Sequence, residues 1–291
     1  MPEGPSFPGK TTQPQSPSSP RLRLRLSEWQ MVWTVWMTYG AFYFCRTNLS
    51  VAVPGIKEEY GFTGTEIGLV LMGLKITYAV GQLINGQLAE RYSPRIMLAI
   101  GMFVSAAVNV CFGFSHGLYL FLFIWMCNGY FQSLGWTPCV RVVGNWIEVE
   151  RRGFVMGIVG TGYQLTAGLT FVVAGVAVNL FGWRGAMFVP PLILVAAAIG
   201  MLFFLREQPS ESDGSHRQKE PATTDKTAKQ ESEMSVWKTL AATVFNPLLW
   251  PLGVALGMTN AVRYGYLDWG VIHLVEVSGG EEEINTKVLK S

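Results

Sequence analysis

The chain has 291 residues, of which 49% are hydrophobic and only 14% are charged. Soluble globular domains carry roughly 25% charged residues, so this composition excludes an ordinary soluble enzyme. An aromatic content of 13% excludes a disordered protein, and a net charge of +2 gives no reason to expect binding to nucleic acid.

The N-terminal stretch is rich in Pro, Ser and Gln and contains no apolar run. It lacks the apolar core and the small-residue cleavage site of a signal peptide. We therefore predict a disordered N-terminal tail over residues 1–28.

Seven apolar segments follow, and each is long enough to cross a bilayer, since a spanning helix needs about 20 apolar residues. They are approximately Trp29–Val53, Glu66–Leu88, Arg95–Phe114, Leu118–Val143, Gly153–Leu180, Gly185–Leu205 and Phe245–Val275. The first six form one unit over residues 29–205. A polar linker over 206–244 separates them from the seventh, in residues 245–291. This pattern predicts an all-α polytopic membrane protein embedded in a lipid bilayer.

Basic residues are concentrated in alternate loops. One set of loops contains Arg21, Arg23, Arg25, Arg91, Arg95, Arg151, Arg152 and Arg206, whereas the opposite set contains Lys57 and Arg184. Loops rich in Lys and Arg remain in the cytoplasm. We therefore expect the N-terminus and the central linker to be cytoplasmic.

Three cationic side chains lie well inside apolar spans: Arg46 in the first, Lys75 in the second and Arg263 in the seventh. A charge near the bilayer centre is costly and usually faces a cavity on a substrate path. Asp268 is on the same predicted helix as Arg263 but points roughly 140° away from it. We therefore expect a cationic cavity that binds an anion from solution.

Polar side chains share helix faces with these cations. They are Tyr39 and Tyr43 beside Arg46, Tyr78 and Gln82 beside Lys75, and Tyr266 beside Arg263. Phenol hydroxyls and guanidinium groups along one wall suit a phosphate or a carboxylate. Each tyrosine also fits a second interpretation, an aromatic belt at the membrane interface.

Small residues interrupt two of the spans. Gly135 and Pro138 in the fourth span predict either a helix break at the cavity or a packing kink, and the spacing leaves both open. The fifth span has glycines at close helical spacing, which predicts close helix packing. These are Gly153, Gly157, Gly160, Gly162 and Gly168.

The sequence indicates no cofactor and no metal ion. The four cysteines, Cys45, Cys111, Cys127 and Cys139, lie in apolar runs and are expected to be buried free thiols. No two histidines have metal-ligand spacing on one helix. No nucleophile–base pair or phosphate-cradling loop is evident, so the chain is not expected to be an enzyme.

The short loop after the second span carries a recognisable motif. Gly86, Glu90, Arg91 and Arg95 fit the pattern G-x-x-x-[DE]-R-x-x-x-[RK], which resembles the corresponding loop of the major facilitator superfamily. We expect Gly86 to allow close helix approach, and Glu90 with the arginines to form charge-assisted bonds to a helix end.

Three further strings resemble the organophosphate:phosphate antiporter family of that superfamily, with a likeness that runs from about residue 29 to 276. They are YFCRTNLS over residues 43–50, FQSLGWTPC over 131–139 and RYGYLDW over 263–269. The resemblance implies a six-helix N-terminal half followed by the first helix of a second half. It also implies that Arg46 and Arg263 bind phosphate, helped by Tyr39, Tyr43 and Tyr78.

The implied function is exchange of a phosphorylated metabolite, such as glycerol-3-phosphate or a sugar phosphate, for inorganic phosphate across the plasma (inner) membrane. The resemblance also implies substrate contacts from Gln82, which stands where the glycerol-3-phosphate transporter has a lysine, and from Tyr163, which stands where it has a histidine. Both departures leave the organic part of the substrate open. Two alternatives also stay open: symport of a carboxylate such as a hexuronate, and sensing of hexose phosphate without transport.

The family has twelve helices, whereas this sequence ends soon after the seventh predicted span. We therefore expect a chain that is truncated at the C-terminus relative to the family, with an unknown partner for the missing helices.

Overall fold

A computed structural model of the protein describes residues 24–209 and 245–289. Most of the predicted tail and of the predicted linker lies outside these ranges. The predicted disorder of the tail therefore concerns residues outside the described part of the chain. All the regular structure in the described ranges is helical.

The described ranges contain nine α-helices. They are α1 (Leu26–Ala41), α2 (Asn48–Tyr60), α3 (Gly64–Arg91), α4 (Pro94–Phe114), α5 (Leu118–Gln132), α6 (Trp136–Trp146), α7 (Val149–Phe181), α8 (Gly185–Phe204) and α9 (Leu249–Leu289). Four of them, α3, α4, α7 and α8, are long and apolar enough to cross a membrane on their own. The pairs α1–α2 and α5–α6 each correspond to one predicted span that is broken in two. The all-α polytopic membrane fold is therefore confirmed.

The first span is not the single helix that its apolar pattern predicts. Helix α1 runs into a 3-10 turn over Phe42–Cys45, and α2 begins only at Asn48. Arg46 therefore lies at a helix break. The expectation of a continuous helix was wrong here because hydropathy reports burial and not the continuity of backbone hydrogen bonds.

Neighbouring helices supply the hydrogen bonds that this break removes. The carbonyl of Cys45 accepts from Nδ2 of Asn128 at 2.8 Å and from Nδ2 of Asn109 at 3.3 Å. An unpaired backbone group in a bilayer costs several kcal/mol. The break is therefore stable only because buried amides of α4 and α5 face it.

The second break separates α5 from α6. Helix α5 ends at Gln132, a short turn follows, and α6 begins at Trp136. Pro138 then lies in the first turn of α6, where its missing N–H removes no helical hydrogen bond. Of the two interpretations that the sequence left open, the structure has the helix break.

The helices pack in pairs, with α3 against α5, α4 against α8 and α1 against α7. Helices α3 and α5 approach closely at Gly129 of α5, where an added Cβ would lie 2.3 Å from the carbonyl oxygen of Leu74. Only a glycine fits at that distance, because the obstructing atom belongs to the backbone of α3.

The glycines of α7 behave differently from the expectation of close packing. Among them only Gly162 is in tight contact, with the Trp36 ring 3.0 Å from an added Cβ. A Cβ at Gly153, Gly157 or Gly168 would meet nothing within 4 Å. The prediction was therefore wrong for these three positions, which lie on a face of α7 that no described helix covers.

The loops rich in arginine meet at one end of the bundle, called the basic end below. Arg151 at the start of α7 forms an ion pair of 2.9 Å with Glu28 near the start of α1. The indole of Trp146 donates to the backbone carbonyl of Arg206 at 2.8 Å. The loops of the basic set are thus brought together as predicted, and the membrane face that they occupy stays a prediction.

The motif predicted for the loop after the second span is also at the basic end, but most of it is helical: Gly86, Glu90 and Arg91 lie in the last turns of α3, and Arg95 lies at the start of α4. Arg95 donates to the carbonyl of Leu202 in the last turn of α8, so it bonds to a helix end as expected. Glu90 and Arg91 are exposed. A Cβ at Gly86 would meet nothing within 4 Å, so the expected close approach at Gly86 is absent from the described part of the chain.

The opposite end of the bundle is held by an ion pair. Arg184, in the loop between α7 and α8, lies 2.8 Å from the carboxylate of Glu59 at the end of α2. The indole of Trp183 donates to the same carboxylate at 2.6 Å. Hydrogen bonds from Arg184 and then from Trp183 lower the pKa of Glu59 to about 2.

All four cysteines are free, as predicted. Cys45 and Cys139 are buried, but Cys111 is exposed and Cys127 is partly exposed. The prediction of burial was wrong for these two, because an apolar run in a spanning helix also includes the face that turns toward lipid.

Candidate functional site

The main cavity of the described residues has a volume of about 1280 Å³ and lies between α9 and the helices α1, α3 and α7. Seven of the predicted site residues line it. They are Arg46, Arg263, Lys75, Tyr39, Tyr43, Tyr78 and Tyr163. The fold therefore brings the cations of the first, second and seventh spans to one place, as their position inside the spans indicated.

Arg46 and Arg263 converge on the same side chain. The guanidinium carbon of Arg46 lies 4.7 Å from the ring centre of Tyr43, and that of Arg263 lies 5.7 Å from the same ring. Arg263 also donates to the Tyr43 hydroxyl at 3.4 Å and lies 4.7 Å from the ring centre of Tyr163. Cation–π contacts of this kind stabilise a cation without neutralising it.

Arg46 is buried, with 7% of its surface exposed. Its Nε donates to Oε1 of Gln132 at 3.1 Å, and its guanidinium lies 4.5 Å from the ring centre of Tyr78. No carboxylate pairs with Arg46 among the described residues. A buried charge is costly unless it is paired, so this environment favours an anion from solution as the partner.

Arg263 has a donor without a partner. Its Nε is buried and has no hydrogen-bond acceptor in the described part of the chain. Leaving a buried charged donor unsatisfied costs free energy that an anionic ligand would recover. The two arginines therefore share one property: each has hydrogen-bonding capacity left over for a ligand.

Lys75 is neutralised within the protein. It donates to the carboxylate of Asp268, which is buried with 9% exposure. The expectation that acidic groups stay away from the cavity was wrong for Asp268. Asp268 is about 140° around α9 from Arg263. Lys75 of α3 reaches the carboxylate there and forms an ion pair with it. Of the three cations in the cavity, Lys75 is paired with a carboxylate. The guanidinium groups of Arg46 and Arg263 have no carboxylate partner among the described residues.

Tyr266 does not line the cavity, and 79% of its surface is exposed. The prediction that it shares the binding wall with Arg263 was wrong. The cavity-lining stripe of α9 runs through Gly257, Ala261, Tyr264 and Asp268, and Tyr266 lies about 200° around the helix from Tyr264.

Tyr264 is the tyrosine that the sequence interpretation missed. Its ring centre is 5.6 Å from the guanidinium of Arg263 and 5.3 Å from the amine of Lys75. The four residues of the stripe have i, i+4, i+7, i+11 spacing, which is visible in the sequence. Tyr264 was missed because the sequence interpretation centred the cavity-facing side of α9 on Arg263, which lies at the edge of the stripe.

Gln82 contacts the cavity indirectly. Its Nε2 donates to the Tyr78 hydroxyl at 2.7 Å, and its Oε1 accepts from Thr137 at 3.1 Å. It holds a cavity tyrosine but is absent from the cavity lining. Trp136, at the start of α6, lines the cavity beside Tyr39 at 4.8 Å between ring centres, and sequence reasoning gave it no role.

The structure thus defines a polytopic helical bundle with one cavity, in which arginines from two distant spans have no carboxylate partner among the described residues. The sequence profile of the Major Facilitator Superfamily matches residues 35–282. This match covers most of the chain, so the protein belongs to the Major Facilitator Superfamily, whose members are transporters rather than enzymes.

Curated relatives narrow the comparison. The chain is 29% identical to a probable hexose phosphate transport protein of Chlamydia trachomatis, over 85% of this chain and 58% of that protein. It is 31% identical to the glycerol-3-phosphate transporter of Bacillus subtilis, over 90% of this chain and 60% of that protein. It is 30% identical to the membrane sensor protein UhpC of Salmonella typhimurium, over 84% of this chain and 56% of that protein. The chain thus spans little more than half the length of these relatives.

A solved structure shares the fold. It is a bacterial homologue of the human lysosomal transporter Spinster in an inward-facing, unoccupied conformation, with a TM-score of 0.69 at 14% identity. The likeness covers 88% of this chain and 57% of that one. It supports the major facilitator arrangement of a six-helix half plus the first helix of a second half.

Proposed function

We propose that the protein binds a phosphorylated small metabolite in this cavity and exchanges it for inorganic phosphate by alternating access. The relatives named as hexose phosphate and glycerol-3-phosphate transporters support the organophosphate part of this proposal. We infer the exchange with inorganic phosphate from the charge of the site.

One observation carries the proposal: Arg46 and Arg263 contact the same tyrosine, and no described carboxylate pairs with either of them. Their combined charge matches that of a phosphate monoester, which carries about −1.5 to −2 at pH 7. A phosphate also has three terminal oxygens, enough to bond two guanidinium groups at once. A carboxylate has two oxygens and fits one bidentate arginine better.

The same charges explain why transport would be an exchange. In an empty cavity the two guanidinium groups repel each other and oppose closure of the two halves. A bound phosphate offsets this repulsion, so the loaded protein closes and reorients more easily than the empty one. In transporters built from repeats, the site lies between the repeats and the halves move around it.

A second candidate function is sensing of hexose phosphate without transport, and the 30% identity to a membrane sensor protein favours it. The binding site would be the same, and only the flux would differ. Symport of a carboxylate such as a hexuronate is the third possibility and predicts a different order of competing ligands.

Binding and flux separate these functions. Binding of radiolabelled phosphate to the full chain in its native membrane would be competed by glycerol-3-phosphate or glucose-6-phosphate, and not by glucuronate. Arg46→Ala and Arg263→Ala would each abolish it, whereas Arg206→Ala, outside the cavity, is the control. Phosphate exchange in reconstituted liposomes supports the antiporter. Binding without flux supports the sensor, and competition by glucuronate alone supports the carboxylate symporter.

The location of the protein is part of the proposal. We place it in the plasma (inner) membrane with the basic end and the N-terminus in the cytoplasm, because basic loops remain on that side. Cysteines introduced at positions 10 and 215 should be labelled by a membrane-impermeant reagent only after the membrane is opened. Labelling of intact cells at either position would contradict this orientation.

A further inference from the structure

A buried chain of hydrogen bonds determines how Arg46 is held. Gln132, the last residue of α5, has no exposed surface. Its Oε1 accepts from Nε of Arg46 at 3.1 Å, and its backbone carbonyl accepts from Nη2 of Arg46 at 3.5 Å. One residue therefore accepts from two of the three guanidinium nitrogens.

The donor end of the Gln132 amide is fixed as well. Its Nε2 donates to the hydroxyl of Ser105 at 2.7 Å and to the carbonyl of Phe42 at 3.1 Å. The carbonyl of Cys45 accepts a longer bond of 3.4 Å from the same nitrogen. Two of these acceptors belong to the 3-10 turn that leads to Arg46, so Gln132 binds both the arginine and the backbone that carries it.

The direction of these bonds follows from donor chemistry. Nδ2 of Asn128 donates to the Cys45 carbonyl, so Oδ1 of Asn128 faces Ser105 at 2.6 Å. The Ser105 hydroxyl must donate to that oxygen, and its own oxygen accepts from Gln132. A flipped Gln132 amide would place an NH₂ group against the guanidinium, donor against donor. The network thus allows only the orientation in which Oε1 accepts from Arg46.

Nη1 is the guanidinium nitrogen that this network leaves over. Within the part of the chain that the structure describes, no protein acceptor bonds to it, although Arg46 lines the cavity. We infer that Gln132 is a positioning residue, which fixes the guanidinium of Arg46 so that Nη1 is presented to an anion in the cavity. This inference rests on the proposed function, because the anion is the ligand proposed there.

Pre-organisation has a measurable consequence. A free arginine side chain must lose its rotamer freedom when it binds, whereas a fixed one has lost it already. Ordering a rotamer-rich side chain on binding weakens the affinity by about twofold to tenfold. Gln132→Met keeps the size of the side chain and removes both the acceptor and the donor, so it should weaken phosphate binding by up to about tenfold.

Asn85 of α3 offers a matched control. It is equally buried, and its Nδ2 donates to the Ser133 hydroxyl at 2.7 Å without contacting Arg46 or the amide of Gln132. Asn85→Leu also removes a buried amide and its hydrogen bond, so it should destabilise the protein to a degree similar to Gln132→Met. It should change the affinity for phosphate less than twofold. A purely structural role for Gln132 predicts that both variants change the affinity alike, or that neither does.

The experiment measures two quantities on the purified full chain: calorimetric affinity for inorganic phosphate, and the NMR signal of the Arg46 Nε–H group. A fixed guanidinium gives a slowly exchanging Nε–H signal in the wild type and in Asn85→Leu, and a rapidly exchanging one in Gln132→Met. Gln132→Glu is the second variant, in case the Met variant does not fold. Its carboxylate would offset the charge of Arg46 and should weaken phosphate binding by more than about one hundredfold.

The outcomes separate the two claims. Selective loss of affinity and of the slow signal in Gln132→Met supports the inference; Gln132→Glu, whose carboxylate still accepts from Nε, should lose affinity and keep the slow signal. Unchanged phosphate affinity in Gln132→Met, or in Gln132→Glu where the Met variant does not fold, or a rapidly exchanging Nε–H in the wild type, overturns the inference. A wild-type protein that does not bind phosphate but shows the slow signal, lost in Gln132→Met, would overturn the proposed function and leave the positioning role supported.

Discussion

The ion pair between Lys75 and Asp268 offers the sharpest test of the cavity electrostatics. It joins α3 to α9, two elements that are far apart in the chain, and its side chains are 34% and 12% exposed. Exposed pairs contribute about 0.2–1 kcal/mol, and breaking a buried pair costs about 3–5 kcal/mol. A pair that is half open to the cavity lies between these limits, so Asp268→Asn should destabilise the protein by about 1–2 kcal/mol.

The effect on ligand binding should have opposite signs for the two partners. Asp268→Asn leaves Lys75 unpaired and adds positive charge to the cavity, whereas Lys75→Met leaves the Asp268 carboxylate unpaired. A unit charge that is near the ligand but not in contact with it contributes about 1 kcal/mol, or about fivefold in affinity. Phosphate should therefore bind about fivefold tighter to Asp268→Asn and about fivefold more weakly to Lys75→Met.

A double-mutant cycle tests this reasoning. Thermal unfolding and calorimetric phosphate binding would be measured for the wild type, both single variants and the double variant. The double variant should be more stable than the sum of the single losses predicts, by about 1 kcal/mol, with phosphate affinity close to that of the wild type. Additive losses of stability, or affinity changes of the same sign in both single variants, would refute the pairing and the charge count derived from it.

Three further predictions concern other parts of the bundle. Tyr264→Ala should weaken phosphate binding severalfold by removing a ring beside Arg263, whereas Tyr266→Ala should leave the binding unchanged. Radioligand binding measures both variants, and equal effects would contradict the assigned stripe of α9. Gly129→Ala should lower the stability by about 1–3 kcal/mol through its clash with α3, whereas Gly168→Ala should be tolerated; thermal unfolding in detergent measures both, and an unaffected Gly129→Ala protein would contradict the close approach. Because the folded-state pKa of Glu59 is lowered to about 2, the contribution of this carboxylate to stability is present above pH 4.5 and is lost as the pH falls toward 2. Glu59→Gln should lose this part of the dependence of stability on pH. An unchanged pH profile of unfolding would show that the ion pair between Glu59 and Arg184 is unimportant for stability.

The sequence by itself determined the class of fold. Apolar segments of spanning length can satisfy their backbone hydrogen bonds in a bilayer only as helices or closed barrels, and their lengths favoured helices. The same constraint makes a cation inside such a segment informative. Arg46 and Arg263 could therefore be placed in a cavity before any contact was known, because no other location in the membrane tolerates them.

The tertiary structure decided which neighbours these cations have. Helical spacing gives the angle between two side chains on one helix, but not the direction from which the next helix approaches. Tyr266 was placed in the cavity and Asp268 outside it for this reason, and the structure reversed both. The break at Arg46 was likewise invisible, since it depends on amide groups of α4 and α5 that lie more than 60 residues further along the chain.

The role inferred for Gln132 also depends on the tertiary structure. A single glutamine in an apolar helix shows only that a polar group is buried and requires partners. Which oxygen accepts, and from which arginine, follows from a chain of donors through Ser105 and Asn128 that comes from two different helices. The sequence thus determined the class of fold and where its buried charges are, because transfer into a bilayer depends on composition and length. Only the tertiary structure decided how these charges are oriented and paired, because hydrogen bonds and ion pairs depend on distances of a few ångströms between separate helices.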